Sequence, residues 1–167
     1  MEFWAKWQMK FSNHLIILAT IILGFWLDDM LNPITISFFL ELNFGFLIFS
    51  YWVFAMPEKL QSSAALFYGL VTDLFFSNVI GFNMLFFTAT SYIIHLYVFR
   101  FRIFSYFQLA VFFSGSSSLF IAFKYLLLSP YNYSYIILIV SFFINAVIWL
   151  GVYFTMRAFR RNIFLNS

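Results

Sequence analysis

Two acids in a chain of 167 residues stand where acids are rare. Asp73 lies inside "YGLVTDLFFSNVIGF", residues 68–82, and Glu41 inside "ISFFLELNFGFLIF", residues 36–49. A carboxylate within apolar sequence must be protonated, paired or hydrogen-bonded, because a bare one in low dielectric costs several kcal/mol. Intramembrane acids therefore mark sites more often than ordinary polar residues do. Other groups able to do chemistry are few. His14 and His95 are too far apart in sequence to suggest a metal site, and the absence of cysteine removes thiolate ligands, disulfides and cysteine nucleophiles together. No phosphate-binding Gly-rich loop, nucleophile elbow or His-Glu-x-x-His is present, and no Ser-His-Asp set falls at neighbouring depths. The chain is not expected to be an enzyme or to hold a cofactor.

The elements that must position these acids are apolar helices. The chain is 64% hydrophobic and 26% aromatic with 9% charged residues, against about 45–50% apolar and 25% charged in soluble domains. An all-α integral membrane protein follows, built as one bundle. Apolar runs long enough to cross a bilayer, roughly 20 residues each, fall near 12–27, 34–56, 61–79, 83–99, 103–128 and 134–156. Six spans joined by short connections are expected at 28–33, 57–60, 77–82, 100–102 and 129–133, as a single transmembrane domain. Phe3, Trp4, Trp7 and Phe11, with Lys6 and Lys10 beside them, predict an amphipathic interfacial segment over 2–11. With the amino terminus cytoplasmic, Lys6, Lys10, Lys59, Arg100, Arg102, Arg157, Arg160 and Arg161 all lie inside. Asp28 and Asp29 then lie outside and only Lys124 disagrees, so both termini are expected to be cytoplasmic. The run into Asp28-Asp29 lacks a small-residue cleavage pattern and is not expected to be a signal peptide.

Within the spans, small and polar residues recur every four positions. Ala65, Gly69, Asp73 and Ser77 form one stripe, Ser37, Glu41 and Gly45 a second, and Ala110, Ser114, Ser118 and Ala122 a third. Such stripes let helix backbones approach closely. Counting the helical rise puts Glu41 and Asp73 at a similar depth, about 10 Å below the outer surface. Facing each other, the two acids would share a proton. Alternatively each takes its own donor from Lys124, Ser77, Asn78, Asn83 or tyrosine hydroxyls. For Asp73 the expected donors are local, namely the free N–H groups of the turn into the fourth span.

Residues 32–82 resemble the bacterial rod shape-determining protein MreD family. The matching features are Pro33 opening the second span, Trp52 near its end, Pro57 just after it, then Gly69-Leu70-x-x-Asp73 and a later Gly81. Where that family usually has a further glycine in the turn, this chain reads Ser77-Asn78. The resemblance implies a non-enzymatic scaffold subunit of the cell-elongation complex in the bacterial inner membrane. It would pair with the bitopic protein MreC and contact, directly or indirectly, MreB filaments and the glycosyltransferase and transpeptidase of lateral peptidoglycan synthesis. Its partners would be these proteins and the lipid bilayer, not nucleic acid. Interaction candidates are Asp73, Gly69, Gly81, Pro57, Glu41, Trp52, Ser114 and Ser118. The family also resembles in fold the substrate-binding subunits of energy-coupling-factor vitamin transporters. Those commonly carry Ala-x-x-x-Ala in the first span, where this chain has Ala19 and Leu23.

Overall fold

The computed structural model describes residues 2–57, 60–77, 79–128 and 134–164, with backbone alone for 2–12, 128, 163 and 164. The described residues are helical, without a strand. Helix α1 spans Glu2–Thr35, α2 Phe44–Ala55, α3 Ser62–Phe76, α4 Phe82–Leu96, α5 Val98–Ile103, α6 Tyr106–Leu128 and α7 Tyr135–Phe164. Three helical stretches, Asn13–Phe38 (most of α1 with the short 3-10 turn that follows it), Tyr106–Leu127 and Tyr135–Asn162, are long and apolar enough to cross a membrane. The helices α2, α3 and α4 are apolar but have 12, 15 and 15 residues, about 18–23 Å each, short of the ~30 Å hydrocarbon layer.

Helix α2 is the centre of the bundle. Phe46, Leu47, Phe49, Tyr51, Trp52 and Val53 are all buried, so its sides are covered all round. It packs against α1, α4, α6 and α7, while α3 pairs with α4 and α6 with α7. Phe49 stacks on Phe87 of α4 with centroids 3.8 Å apart, and Phe113 of α6 stacks on Trp149 of α7 at 4.9 Å. The outer surface is the inverse of a soluble protein's. Phe75, Phe99, Phe107 and Ile103 are each more than 70% exposed, which suits contact with lipid.

Several expected boundaries are corrected. The connection placed at 28–33 is helix, because Asp28 turns inward, 6% exposed, instead of toward water. Pro33 falls in the last turn of α1, so the one N–H bond it forgoes, to the Asp29 carbonyl, is lost where the helix is already ending. The second span does not begin at 34. Ile36–Phe38 is a turn of 3-10 helix, Phe39 takes the left-handed conformation at φ 55°, and helix resumes only at Phe44. The connection placed at 100–102 lies inside α5. The chain turns instead at Ser105, which starts α6 with reciprocal bonds: Ser105 N–H to Gln108 Oε1 at 2.9 Å, and Gln108 N–H to Ser105 Oγ at 3.4 Å. The segment 2–11 is continuous with α1, and α7 runs on through residues expected beyond the last span. The expected connection at 129–133 and Lys59 lie outside the described residues.

Candidate functional site

The polar residues gather at the end of the bundle where α1 leaves off and α4 begins. Asp73 lies in the last turn of α3, 1% exposed. Its Oδ2 accepts the N–H of Gly81 at 2.8 Å and of Met84 at 3.1 Å, and Oδ1 accepts that of Asn83 at 2.9 Å. These are the orphan donors at the start of α4, so the carboxylate caps that helix from the preceding one. Gly81, at φ +101°, takes the left-handed conformation that brings its own N–H round to Asp73. Gly69, one turn earlier on α3, lets the hairpin close. A Cβ there would lie 2.3 Å from Met84 Cα. Asn83 contributes its backbone, and Asn78 lies outside the described residues.

The first hairpin repeats the arrangement. Asp28 of α1 accepts the N–H of Phe44 at 2.7 Å and of Gly45 at 2.9 Å, capping α2. A Cβ on Gly24, one turn before Asp28, would stand 2.8 Å from Gly45 Cα. Gly24-x-x-x-Asp28 and Gly69-x-x-x-Asp73 are therefore one device used twice, a glycine for close approach and an acid one turn later for the next helix's N-terminus. Sequence reasoning assigned Asp28 to an outer loop and missed this role. The signal was available in the repeated Gly-x-x-x-Asp spacing.

Glu41 does not sit on a helical stripe with Ser37 and Gly45. It lies in the non-helical stretch 39–43, whose backbone is held by side chains. Glu41 N–H donates to Ser141 Oγ at 2.8 Å, and Asn145 Nδ2 donates to the Glu41 carbonyl at 3.2 Å. Leu42 pairs with Asn32 in both directions, at 2.8 and 3.0 Å. Asn32 and Ser141 were not anticipated, because their partners are backbone groups of a segment read as helix. The Glu41 carboxylate, 4% exposed, is paired with Lys124 Nζ at 2.7 Å. Lys124 thus serves Glu41, as one of the expected donors, while Asp73 has its own. The alternative in which the two acids share a proton is not what the described contacts form.

The remaining candidates are dispersed. Trp52 Nε1 donates to Thr20 Oγ1 at 2.8 Å, tying α2 to α1. The Pro57 carbonyl faces His95 Nε2 at 2.8 Å at the opposite end of α4, and His14 Nδ1 meets the Tyr68 hydroxyl. Ser114 is fully buried, with its hydroxyl returned to the Val111 carbonyl at 3.1 Å. Ser118 is half-buried, whereas Ser117 is 0% exposed. The stripe expected through Ser118 therefore drifts. Steps of four residues advance about 40° past a full turn each time, so the buried line runs Ala110, Ser114, Ser117, Ile121.

Between these elements opens a polar cleft of about 80 Å³, lined among others by Asp28, Asp29, Glu41, Asn43, Asn83 and Lys124. Among the described residues no three His, Asp or Glu side chains converge as a metal site would require. The carboxylates here serve as acceptors for backbone and lysine. No protein-family model, curated protein or solved structure matches the chain.

Proposed function

We propose that the chain is a multi-pass membrane scaffold of the kind the MreD family provides, with six spans and both termini on the cytoplasmic side. The observation that carries this reading is the α3–α4 hairpin. Gly69, Asp73 and Gly81, three of the residues on which the resemblance rests, all serve one capped and closely packed turn. A family pattern made of such residues is a pattern of architecture, which is what a scaffold acting through helix faces and short loops needs.

Six spans are consistent with the short central helices if the second span is discontinuous and the bilayer thins locally around α3 and α4. The stretch 39–43 is irregular, yet Glu41 and Leu42 have their backbone groups paired with Ser141, Asn145 and Asn32. Irregular backbone is tolerated at membrane depth under that condition. Orientation is supported by charge. Arg160 donates to the Ala55 carbonyl and Arg157 to the Tyr106 hydroxyl, gathering basic residues at the end of the bundle opposite Asp28 and Glu41.

On this reading the protein assembles with MreC, and through it with the peptidoglycan-synthesis machinery of a bacterial inner membrane. Purification in mild detergent followed by mass spectrometry tests it. Recovery of a bitopic coiled-coil protein is the expected result. A co-purifying vitamin or an ATPase module would replace the scaffold with the second reading, a substrate-binding transporter subunit. That reading draws on the polar cleft, but about 80 Å³ holds on the order of five waters, little for a vitamin.

A further inference from the structure

Two of the residues that line the polar cleft each carry a buried group that the protein itself leaves unanswered. Asn43 Nδ2 and Asn83 Oδ1 have no hydrogen-bond partner, and each residue is 3% exposed. Leaving a buried amide donor or acceptor unpaired is costly, so two at one cleft call for an occupant. They are also of opposite sense. Asn43 offers a donor and Asn83 an acceptor.

The charges around them share this polarity. Asp28, Asp29 and Glu41 bring three acidic side chains to the lining against the single cation of Lys124. Glu41 is matched by Lys124, and Asp28 is engaged by two backbone N–H groups. Asp29 is exposed at the lining. Lys124 spends one N–H on Glu41, and its side chain is 44% exposed, so it has donors to give. One set of groups therefore accepts hydrogen bonds from a cation, while Lys124 and Asn43 donate to an anion or carbonyl.

We infer that the cleft binds a small zwitterion carrying a primary ammonium group, held by Asp29 and Asn83, with its anionic or carbonyl end toward Lys124 and Asn43. The cleft, about 80 Å³ and open on one side, admits the ammonium end of such a molecule while the rest lies at its mouth. A primary ammonium suits it because three N–H donors can meet carboxylate and amide oxygens together, which a quaternary ammonium cannot do. Two sources present this chemistry, an ethanolamine phospholipid headgroup and a free amino-phosphate or amino acid. The inference stands whether or not the chain serves as a scaffold.

The test uses the full chain purified in detergent and placed in nanodiscs of phosphatidylcholine, with or without phosphatidylethanolamine. Lipid retention is read by native mass spectrometry. In parallel, O-phosphoethanolamine is titrated in the phosphatidylcholine discs and followed by thermal shift. Selective retention of phosphatidylethanolamine supports the lipid source, and stabilisation by O-phosphoethanolamine supports the free one. Asp29→Asn changes an exposed residue and should leave melting unchanged while weakening retention or titration about tenfold, as expected for loss of a charge-assisted hydrogen bond. Asn83→Ala, which keeps the backbone N–H bonded to Asp73, should act in the same direction. Equal retention of both lipids with no response to O-phosphoethanolamine overturns the inference. So does binding that neither substitution changes.

Discussion

Asp28 and Asp73 hold equivalent places in successive hairpins, each four residues after a glycine and each accepting backbone N–H groups from the first turn of the next helix. The two pairs bring α1 against α2 and α3 against α4 at distances only a glycine permits. A carboxylate buried in an apolar bundle is stable here because its lone pairs are met by donors that would themselves be orphaned.

The two acids should respond alike to substitution. Asp73→Leu leaves three N–H groups without a partner, that of Asn83 buried and those of Gly81 and Met84 partly so, and should destabilise by about 3 kcal/mol. Asp73→Asn retains one acceptor oxygen and should fall between Leu and the native residue. Asp28→Asn and Asp28→Leu should show the same order in thermal unfolding in detergent. If Asn at 73 is as inactive as Leu while the protein stays folded and partner-bound, the charge itself is required.

Gly69→Ala should cost about 2 kcal/mol, since its Cβ would meet Met84 Cα at 2.3 Å and backbone cannot step aside as a side chain can. Gly151 has nothing within 4 Å of an added Cβ. Gly151→Ala should therefore be neutral or raise stability by about 0.5–1 kcal/mol through helix propensity. Equal effects at both positions would show that the α3–α4 approach is not close.

On α6, Ser114→Leu and Ser117→Leu should disturb assembly strongly, because both serines are 0% exposed. Ser118→Leu should be intermediate, and Val111→Leu, at a position 41% exposed, mild. Monodispersity on size exclusion in detergent ranks the four. Equal tolerance across them would mean that the buried line on this helix is misplaced.

Lys124→Met should destabilise more than Glu41→Gln. The first removes the cation from a carboxylate that is 4% exposed, whereas the second leaves a lysine that is 44% exposed and reaches water. After discounting for that exposure the Lys124 effect should be about 1–3 kcal/mol. The double variant should recover part of the loss, and strict additivity in the cycle would argue against a direct pair.

The absence of native cysteine makes topology accessible to single-cysteine labelling. Ser37→Cys lies on an exposed turn and should react with an impermeant maleimide in intact cells. Arg161→Cys should react only after permeabilisation. The reverse pattern would invert the proposed orientation, and labelling of both from one side would change the number of spans.

The sequence by itself determined what is local or summed over the chain. Apolar content and run length dictate apolar helices, and four-residue spacing marks Gly69 and Asp73 as one face of α3, because helical periodicity needs no partner to express it. The free donors at the head of α4 lie only 8–11 residues from Asp73, so the capped turn was legible too. Only the tertiary structure decided the region from Asp28 to Phe44. Hydropathy reads residues 34–56 as one continuous span, since Phe, Leu and Ile score alike whether the backbone is helical or not. Ser141 and Asn145, 100 and 104 residues from Glu41, hold its backbone out of a helix, and Asp28 sets where α2 begins. Bonds between a side chain and a distant backbone leave no periodicity in the sequence, because each depends on where two helices meet and not on what lies three or four residues away.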